Sequence, residues 1–528
     1  MAASATMDNF DLIIIGAGHN GLVCAGYLAL SGKSVLVLEA SATPGGLAAS
    51  REFHPGFKTS IAHTVSHLSP EIVDDLDLSA HGLEFASGPL VTVGLDAGGA
   101  HVFVDADGVR GVSDADASSY SEYSCMMNRF AAALRPFWLK VMPRIGSEKI
   151  PDLATFAHIG LKLRGLGRDN MREFLRVVAL PMRDLMDEFF ENELLKATLS
   201  WDGLIGSKLA PRSPNSAVLA MLYRMAGGPQ GQHGAHSIPL SGVGGVIDAL
   251  VSAATGAGAE IRTRSPVQRI TIDHNGSGLR ATGVELADGS KLQANTIISA
   301  TDPRRTFFDL VGVENLEIEF TNRIRRLRCD GYVAKLHLAL SGLPDFTGLT
   351  RPNGRMIIAP TMDAIEFAFD DAKYGECPKT PVIELVIPTL HDASLAPAGQ
   401  HILSAHVMYV PHDLNGGWTD QMRHKFEHCV IDTITAYAPT LRDKILHREL
   451  ITPSDLEQEY RVTGGHWHHT EFALDQVLMM RPTFGAAQYS TPLNGLFLCS
   501  AGCHPGGGIM GGPGHNAARA VIKSGRIT

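Results

Sequence analysis

Six consecutive residues, Gly16-Ala17-Gly18-His19-Asn20-Gly21, and an acid 18 positions after Gly21, Glu39, have the types and spacing to hold a dinucleotide. The chemistry is anion binding by backbone. Gly16 permits a tight turn, Gly18 leaves room for a pyrophosphate, and Gly21 lets a helix lie close to a strand. The pyrophosphate would rest on the free N–H groups at the positive end of that helix. Glu39 is placed to accept hydrogen bonds from a ribose diol, and an acid there favours an unphosphorylated ribose. From this unit alone the other half of the dinucleotide stays open.

The flanking elements must put these groups in place. Leu12–Ile15 is a short apolar run bounded by glycine, the pattern of a buried parallel strand. A helix is expected from about Gly21 to Leu30, ended by Gly32, and Ser34–Leu38 forms a second strand running into Glu39. Two more patches repeat such patterns. Gly258–Ile270 reads as a strand turning into another, followed by a hairpin through Ala287-Asp288-Gly289-Ser290 and a short strand over Thr296–Ala300. Near the C-terminus, Leu493–Gly502 reads as a strand ending at glycine, and a helix is expected from Asn516. Between them, His504–Gly514 is so rich in Gly and Pro that it offers no core, which points to close backbone approach to a ligand. A helix N-terminus aimed at an electron-rich ring there would stabilise negative charge.

The bulk composition fits an enzyme of more than one domain. The chain has 528 residues, 45% hydrophobic and 19% charged, too long for one ordinary core and neither disordered nor fibrous. A net charge of −10 argues against general nucleic-acid binding. Seven scattered cysteines without a C-x-x-C pair, and no signal peptide over Met1–Asn9, predict a reduced, cytoplasmic setting. No apolar run is long enough to span a bilayer.

Glu39-Ala40-Ser41-Ala42-Thr43-Pro44-Gly45-Gly46 resembles the extended FAD signature of glutathione-reductase-type flavoproteins. Four further stretches resemble the phytoene desaturase family of carotenoid desaturases, carotenoid isomerase and retinol saturase. They are Ile298–Pro303, Trp201–Gly206 with Ala210–Pro214, Met479-Met480-Arg481-Pro482, and His504–Gly508 through Pro513–Ala518. The likeness runs from about Asp8 to Arg526 and is nearest to the branch named for a pyridine nucleotide-disulfide oxidoreductase domain. It implies an α/β fold: a glutathione-reductase-type FAD-binding Rossmann domain interleaved with an α+β substrate domain. The FAD domain would comprise 7–80, 236–312 and 486–528, and the substrate domain 81–235 and 313–485. It implies non-covalent FAD held by Gly16, Ala17, Gly18, Asn20, Gly21, Glu39, Ala40, Gly45 and Gly46. Further contacts would come from Ser60, His63, Val267 (its backbone meeting the adenine), Ala300, Gly502 and Gly512. Cys503 lies in the terminal loop, away from the position where amine oxidases carry a flavin cysteine. One stretch departs from the branch, reading Gly465-His466-Trp467-His468-His469-Thr470-Glu471 where Gly-Asn-Ile-Phe-His-Gly is usual. A reshaped substrate pocket follows, which argues against a carotenoid substrate.

A flavin that oxidises a C–H bond takes hydride, while the protein supplies orientation, electrostatics and, for substrates with an acidic proton, a general base. His469 and His504 are the candidates for that base, with Glu471 to orient His469. The alternative for each is structural, a histidine bonding a loop carbonyl or a solvated carboxylate. His63 and His67, four apart, would share one face of a helix. His466, His468 and His469 lack the cysteines or H-E-x-x-H pattern of a metal site, so no metal is expected. The function expected is an FAD-dependent dehydrogenase, desaturase or oxidase of an apolar or semi-polar small molecule, with O2 or a quinone as acceptor. An amine-oxidase-like enzyme, or a flavin-binding, membrane-associated interaction protein with little turnover, are the alternatives. Residues 129–183 hold 11 Lys/Arg against four Asp/Glu, and Phe130, Leu134, Phe137, Trp138, Val141 and Met142 interleave with them. That pattern predicts either peripheral membrane contact or a core-facing helix with a solvated face. Pro136 and Pro143 are expected to break any long helix there.

Overall fold

The computed structural model describes residues 9–525 except 215, 226, 229–233 and 276–277. The domain limits at 7 and 528 lie outside the described residues. Two sheets organise the chain. The first runs in the order Glu260–Arg262, Val35–Leu38, Asn9–Ile15, Lys291–Ser299, Gly278–Leu286, Val267–Asn275, with Leu496–Leu498 also paired to Lys291–Ser299. Asn9–Ile15 pairs in parallel on both sides, Leu12 opposite Val35 and Thr296. Leu12–Ile15 and Val35–Leu38 are apolar and buried at every position, which fits cover on both faces. Helices His19–Leu30 and Gly244–Gly256 pack together, and Gly512–Lys523 lies against His19–Leu30. Gly514 allows that contact, since a Cβ there would stand 2.2 Å from the Asn20 carbonyl oxygen.

The second sheet has eight strands in the order Ile445–Ile451, Val333–Leu340, His401–Met408, Ile383–Val386, Arg355–Ile358, Thr92–Gly94, Val102–Asp105, Gly108–Arg110. One face packs Leu336, Leu338, Leu385, Leu403 and Ala405 under the helix Asp420–Thr435. Side chains alternate across a strand, so the intervening residues Lys335, His337, Glu384 and His406 share the opposite face.

Three local expectations change. The terminal helix begins at Gly512, four residues before Asn516, because Pro513 suits a first helical turn. Pro136 does not break the helix Asp114–Trp138, since it sits in the last turn of a 25-residue element. His63 and His67 share no helix; they lie in an irregular segment and meet different partners.

Candidate functional site

A cleft of about 330 Å³ runs from the carboxyl ends of the parallel strands to the polar face of the second sheet. Ile15, Leu38 and Ala300 mark its first end, where ligands of open α/β sheets gather. Gly16, Gly18, Asn20, Gly21, Glu39, Ala40, Gly45, Gly46, His63, Val267, Ala300 and His469 all line it.

The first end is a cradle of backbone. Gly16 turns at φ +99°, and a Cβ on Gly21 would stand 2.2 Å from the Gly16 carbonyl oxygen, so the helix can only pack here without one. A Cβ on Gly18, by contrast, would meet nothing within 4 Å, because that face opens on the cleft. Glu39, 8% exposed, accepts from the N–H of Ala17 at 2.8 Å and of Ser41 at 2.8 Å. Those bonds orient the carboxylate and leave lone pairs for a diol. Ala17 thus acts through Glu39 and does not line the cleft. The cradle, the open Gly18 and the buried unpaired Oδ1 of Asn20 fit the ADP half of a dinucleotide.

At the other end the cleft meets buried charge. Lys335 and His406 are cross-strand partners, as are His406 and Glu384. Glu384 Oε2 accepts from Trp201 Nε1 at 2.5 Å and from Arg355 Nη2 at 2.6 Å, while Oε1 meets His63 Nε2 at 2.8 Å. His63 Nδ1 lies 2.7 Å from Lys335 Nζ. Arg355 also donates to Asp202, and Asp202 approaches His236, which bonds Thr64. Burial would raise the Glu384 carboxyl, but Arg355 and the two histidines hold it well below the usual range. Burial pushes the Lys335 amine and the His63 ring well below their ordinary values. With Glu384 ionised, His63 carries its proton on Nε2 and accepts from Lys335 through Nδ1. One ligand atom each of His63, Glu384 and His406 lie within 4.8 Å of one another, close enough for a metal. Both His63 nitrogens are already bonded, to Glu384 and Lys335, and Arg355 pairs with Glu384, so these groups find their partners within the protein.

The third wall is the His466–His469 loop. Arg481, fully buried, donates to the carbonyls of His468, Thr470, Glu471, Gln476, Ala501 and Cys503 at 2.8–3.3 Å. It clamps that loop to the terminal glycine loop, a physical role for the Met-Arg-Pro motif. His469 sits at φ +65° with Nδ1 buried and unpaired, and burial and Arg481 lower its pKa to about 3. Two of the terminal glycines admit histidine rings. A Cβ on Gly507 would stand 1.8 Å from His468, and one on Gly508 3.1 Å from His67.

Several expected residues stand elsewhere. His504 does not reach the cleft; Nε2 bonds the Phe137 carbonyl at 2.9 Å, and burial lowers its pKa to about 4. Glu471 turns away from His469 and accepts from Arg328 Nε at 2.9 Å, so it is neither an orienting group for His469 nor solvated. Gly502 and Gly512 pack behind the cleft against Pro303 and Pro505, and Gly508 and Ile509 line it instead. Ser60 is buried one residue before the lining segment 61–67. The sequence reading missed Lys335, Arg355, Glu384 and His406. For Lys335 the signal is Lys335-Leu336-His337-Leu338, polar residues at alternate positions of a strand whose other positions are apolar.

Residues 14–76 match the NAD(P)-binding Rossmann-like domain family. The mouse (Mus musculus) pyridine nucleotide-disulfide oxidoreductase domain-containing protein 2 is 34% identical over 97% of this chain and 93% of its own. The chain belongs to that protein's family. The resemblance carried by the Met-Arg-Pro and His504–Ala518 motifs is borne out. One of the limonene dehydrogenase chains of Castellaniella defragrans is 25% identical over 97% of this chain and 94% of its own. Cyclohexylamine oxidase from Brevibacterium oxydans shares the fold, with a TM-score of 0.57, 17% identity and coverage of 98% and 99%. The protein is accordingly an oxidoreductase, built on the expected Rossmann-type α/β fold with a second, substrate-side sheet. The family name mentions disulfides, yet all seven cysteines here are unpaired.

Proposed function

We propose that this chain binds FAD non-covalently and removes hydride from a C–H bond of a semi-polar or apolar small molecule, passing the electrons to O2 or a quinone. The observation that carries this reading is one continuous cleft joining the backbone cradle at Gly16–Gly21 and Glu39 to the buried cluster at His63 and Glu384. A long extended cofactor has a place for its nucleotide at one end and its reactive end near the polar floor. The bound flavin supplies the hydride acceptor. Residues 7–80, 236–312 and 486–528 would form the FAD domain, and 81–235 with 313–485 the substrate domain.

The chain's own residues position and exclude water. Backbone N–H groups at Gly18–Gly21 hold the pyrophosphate, and Glu39 holds the ribose. Arg481 fixes the loop that carries Trp467, His468 and His469 into the cleft. His63, neutral near pH 7, and Lys335, whose amine burial holds well below its ordinary value, can hold or pass a proton between Nδ1 and Nζ, a task needed when a substrate hydroxyl or amine is deprotonated. Arg224, His67 and His236 add polar groups to the lining, which suits a substrate with a polar end better than a pure hydrocarbon. The Cys503 thiol, buried and pushed up to about 12, is a poor nucleophile and fits a non-covalent cofactor. Seven free thiols fit a reducing compartment such as the cytoplasm.

The test is anaerobic mixing of the flavin-loaded protein with alcohols, terpenoid alkenes, amines and NAD(P)H in turn. Bleaching by one donor class other than NAD(P)H, reversed by air or a soluble quinone, is expected. Bleaching by NAD(P)H alone would overturn the reading, as would flavin that stays attached after acid precipitation. Bleaching by amines alone would move the chain to the amine-oxidase-like alternative.

A further inference from the structure

The stretch 129–183 divides in two. Phe130, Leu134, Phe137, Trp138 and Met142, expected either to meet a membrane or to face the core, are buried in the core. The apolar residues that face water come next. Helix Ile150–Arg164 has no buried residue. Its inner side rests on the body through Phe137 against His158, ring centroids 5.6 Å apart, and through Leu163. Ile150, Leu153, Ala154, Ala157 and Leu161 are exposed, at spacings of three and four that make one stripe. Ile150 is 80% exposed and Leu161 68%, with Ile145 and Leu175 on the neighbouring segments at 50% and 61%. Core-type side chains this open, in a row, need a reason.

The charges around the stripe supply one. Lys140, Arg144, Lys149, Lys162, Arg164, Arg168 and Arg172 are all exposed and carry no ion pair among the described residues. Glu148, Asp152 and Asp169 are the acids between 140 and 172, so this patch is net positive in a chain of −10. Among the described residues no helix is long and apolar enough to cross a membrane. We propose that the Ile150–Arg164 helix, with the basic residues beside it, docks the protein on an anionic lipid surface, lying in the plane of the interface. The leucines and isoleucines would enter the acyl boundary, and the lysines and arginines would reach out to lipid phosphates. Two other occupants fit less well. Nucleic acid would use the cations but leave the Ile and Leu stripe without a partner. A second copy packed about a two-fold axis would bring the seven cations against seven like charges.

Flavin-loaded full-length protein is sedimented with vesicles of phosphatidylcholine alone and with about one third phosphatidylglycerol, at low and high salt. Binding to the anionic vesicles at least tenfold above the neutral ones, falling as salt rises, is expected. Leu153→Asp with Leu161→Asp removes the apolar stripe and should abolish binding. Lys162→Gln with Arg164→Gln removes two charges and should weaken it by about fivefold per charge. Both pairs are exposed, so the flavin spectrum, melting temperature and activity should stay unchanged. Equal or absent binding to both vesicle types by folded protein would overturn the proposal. So would concentration-dependent self-association that Leu153→Asp with Leu161→Asp abolishes, which would assign the stripe to a second copy.

Discussion

At the Gly16–Gly21 turn the ligand-facing surface is backbone, whereas at the His63–Glu384 floor it is buried charge. The turn is made by about 30 consecutive residues, and its key contacts are local: Gly21 over Gly16, and Glu39 to Ala17 and Ser41. The floor is assembled from the segment at His63, the helix Glu193–Leu204, and strands around Lys335, Arg355, Glu384 and His406. A backbone cradle tolerates burial because its donors are used by the ligand. A set of buried ions is stable only while every member keeps its partner. The two ends of one cleft should therefore fail differently, the cradle by losing cofactor and the floor by losing the fold.

Glu384→Gln tests this with the largest expected effect. It leaves Arg355 with Asp202 alone and removes the charge that sets the His63 proton, at roughly 3–5 kcal/mol for a broken buried pair. Denaturant unfolding should show that loss, while each folded chain still carries its flavin. A variant of normal stability that has lost flavin would reverse the contrast.

Acid should act next, again through the buried side chains. His406 and His504 are lowered to about 4 and His466 and His469 to about 3, all chiefly by burial. Unfolded chains take up those protons near pH 6.5 and the folded protein does not, so stability is full above 6.5 and falls as pH drops towards 4. At about 1.4 kcal/mol per pH unit per group, the four rings set a ceiling of about 8 kcal/mol between pH 6.5 and 5, and a loss of roughly a few kcal/mol by pH 5 is expected. Melting curves from pH 7 to 5 check it, and a flat profile would contradict neutral burial of these rings.

Gly21→Ala should cost about 1–3 kcal/mol, since its methyl must displace the Gly16 carbonyl. Flavin content should fall with it. Gly18→Ala is the sharpest of the four and the smallest in stability, within about 0.5 kcal/mol, because the new methyl meets no protein atom within 4 Å. Titration of apoprotein with FAD should nevertheless show at least about tenfold weaker binding, equivalent to roughly 1.4 kcal/mol. Unchanged affinity would mean that Gly18 does not face the cofactor.

The cradle was legible because its signals are short-range: a strand, a glycine turn, a helix, a strand and an acid in fixed order. The hairpin at Asp288-Gly289 was legible for the same reason. The floor was not, because no local rule says that Lys335 and His406 are cross-strand partners or that Glu384 stands beside His63. Only the alternation Lys335-Leu336-His337-Leu338 hinted that one face of the strand was polar. Motif membership also misplaced His504 and Glu471, whose partners, Phe137 and Arg328, lie 367 and 143 residues away. The exposed stripe at Ile150–Leu161 was not singled out, because Phe130 to Met142 shows the same mixture of apolar and basic residues but packs inward, the core-facing alternative.

The central claim is that the Gly16–Glu39 cradle holds FAD. The direct measurement is the absorbance spectrum of purified protein, with identification of the chromophore released by heat, compared between wild type and Gly18→Ala. FAD at about one per chain in the wild type, sharply reduced in a folded Gly18→Ala protein, is the predicted result. A colourless wild type that cannot be loaded with FAD, or equal FAD in both proteins, would contradict it.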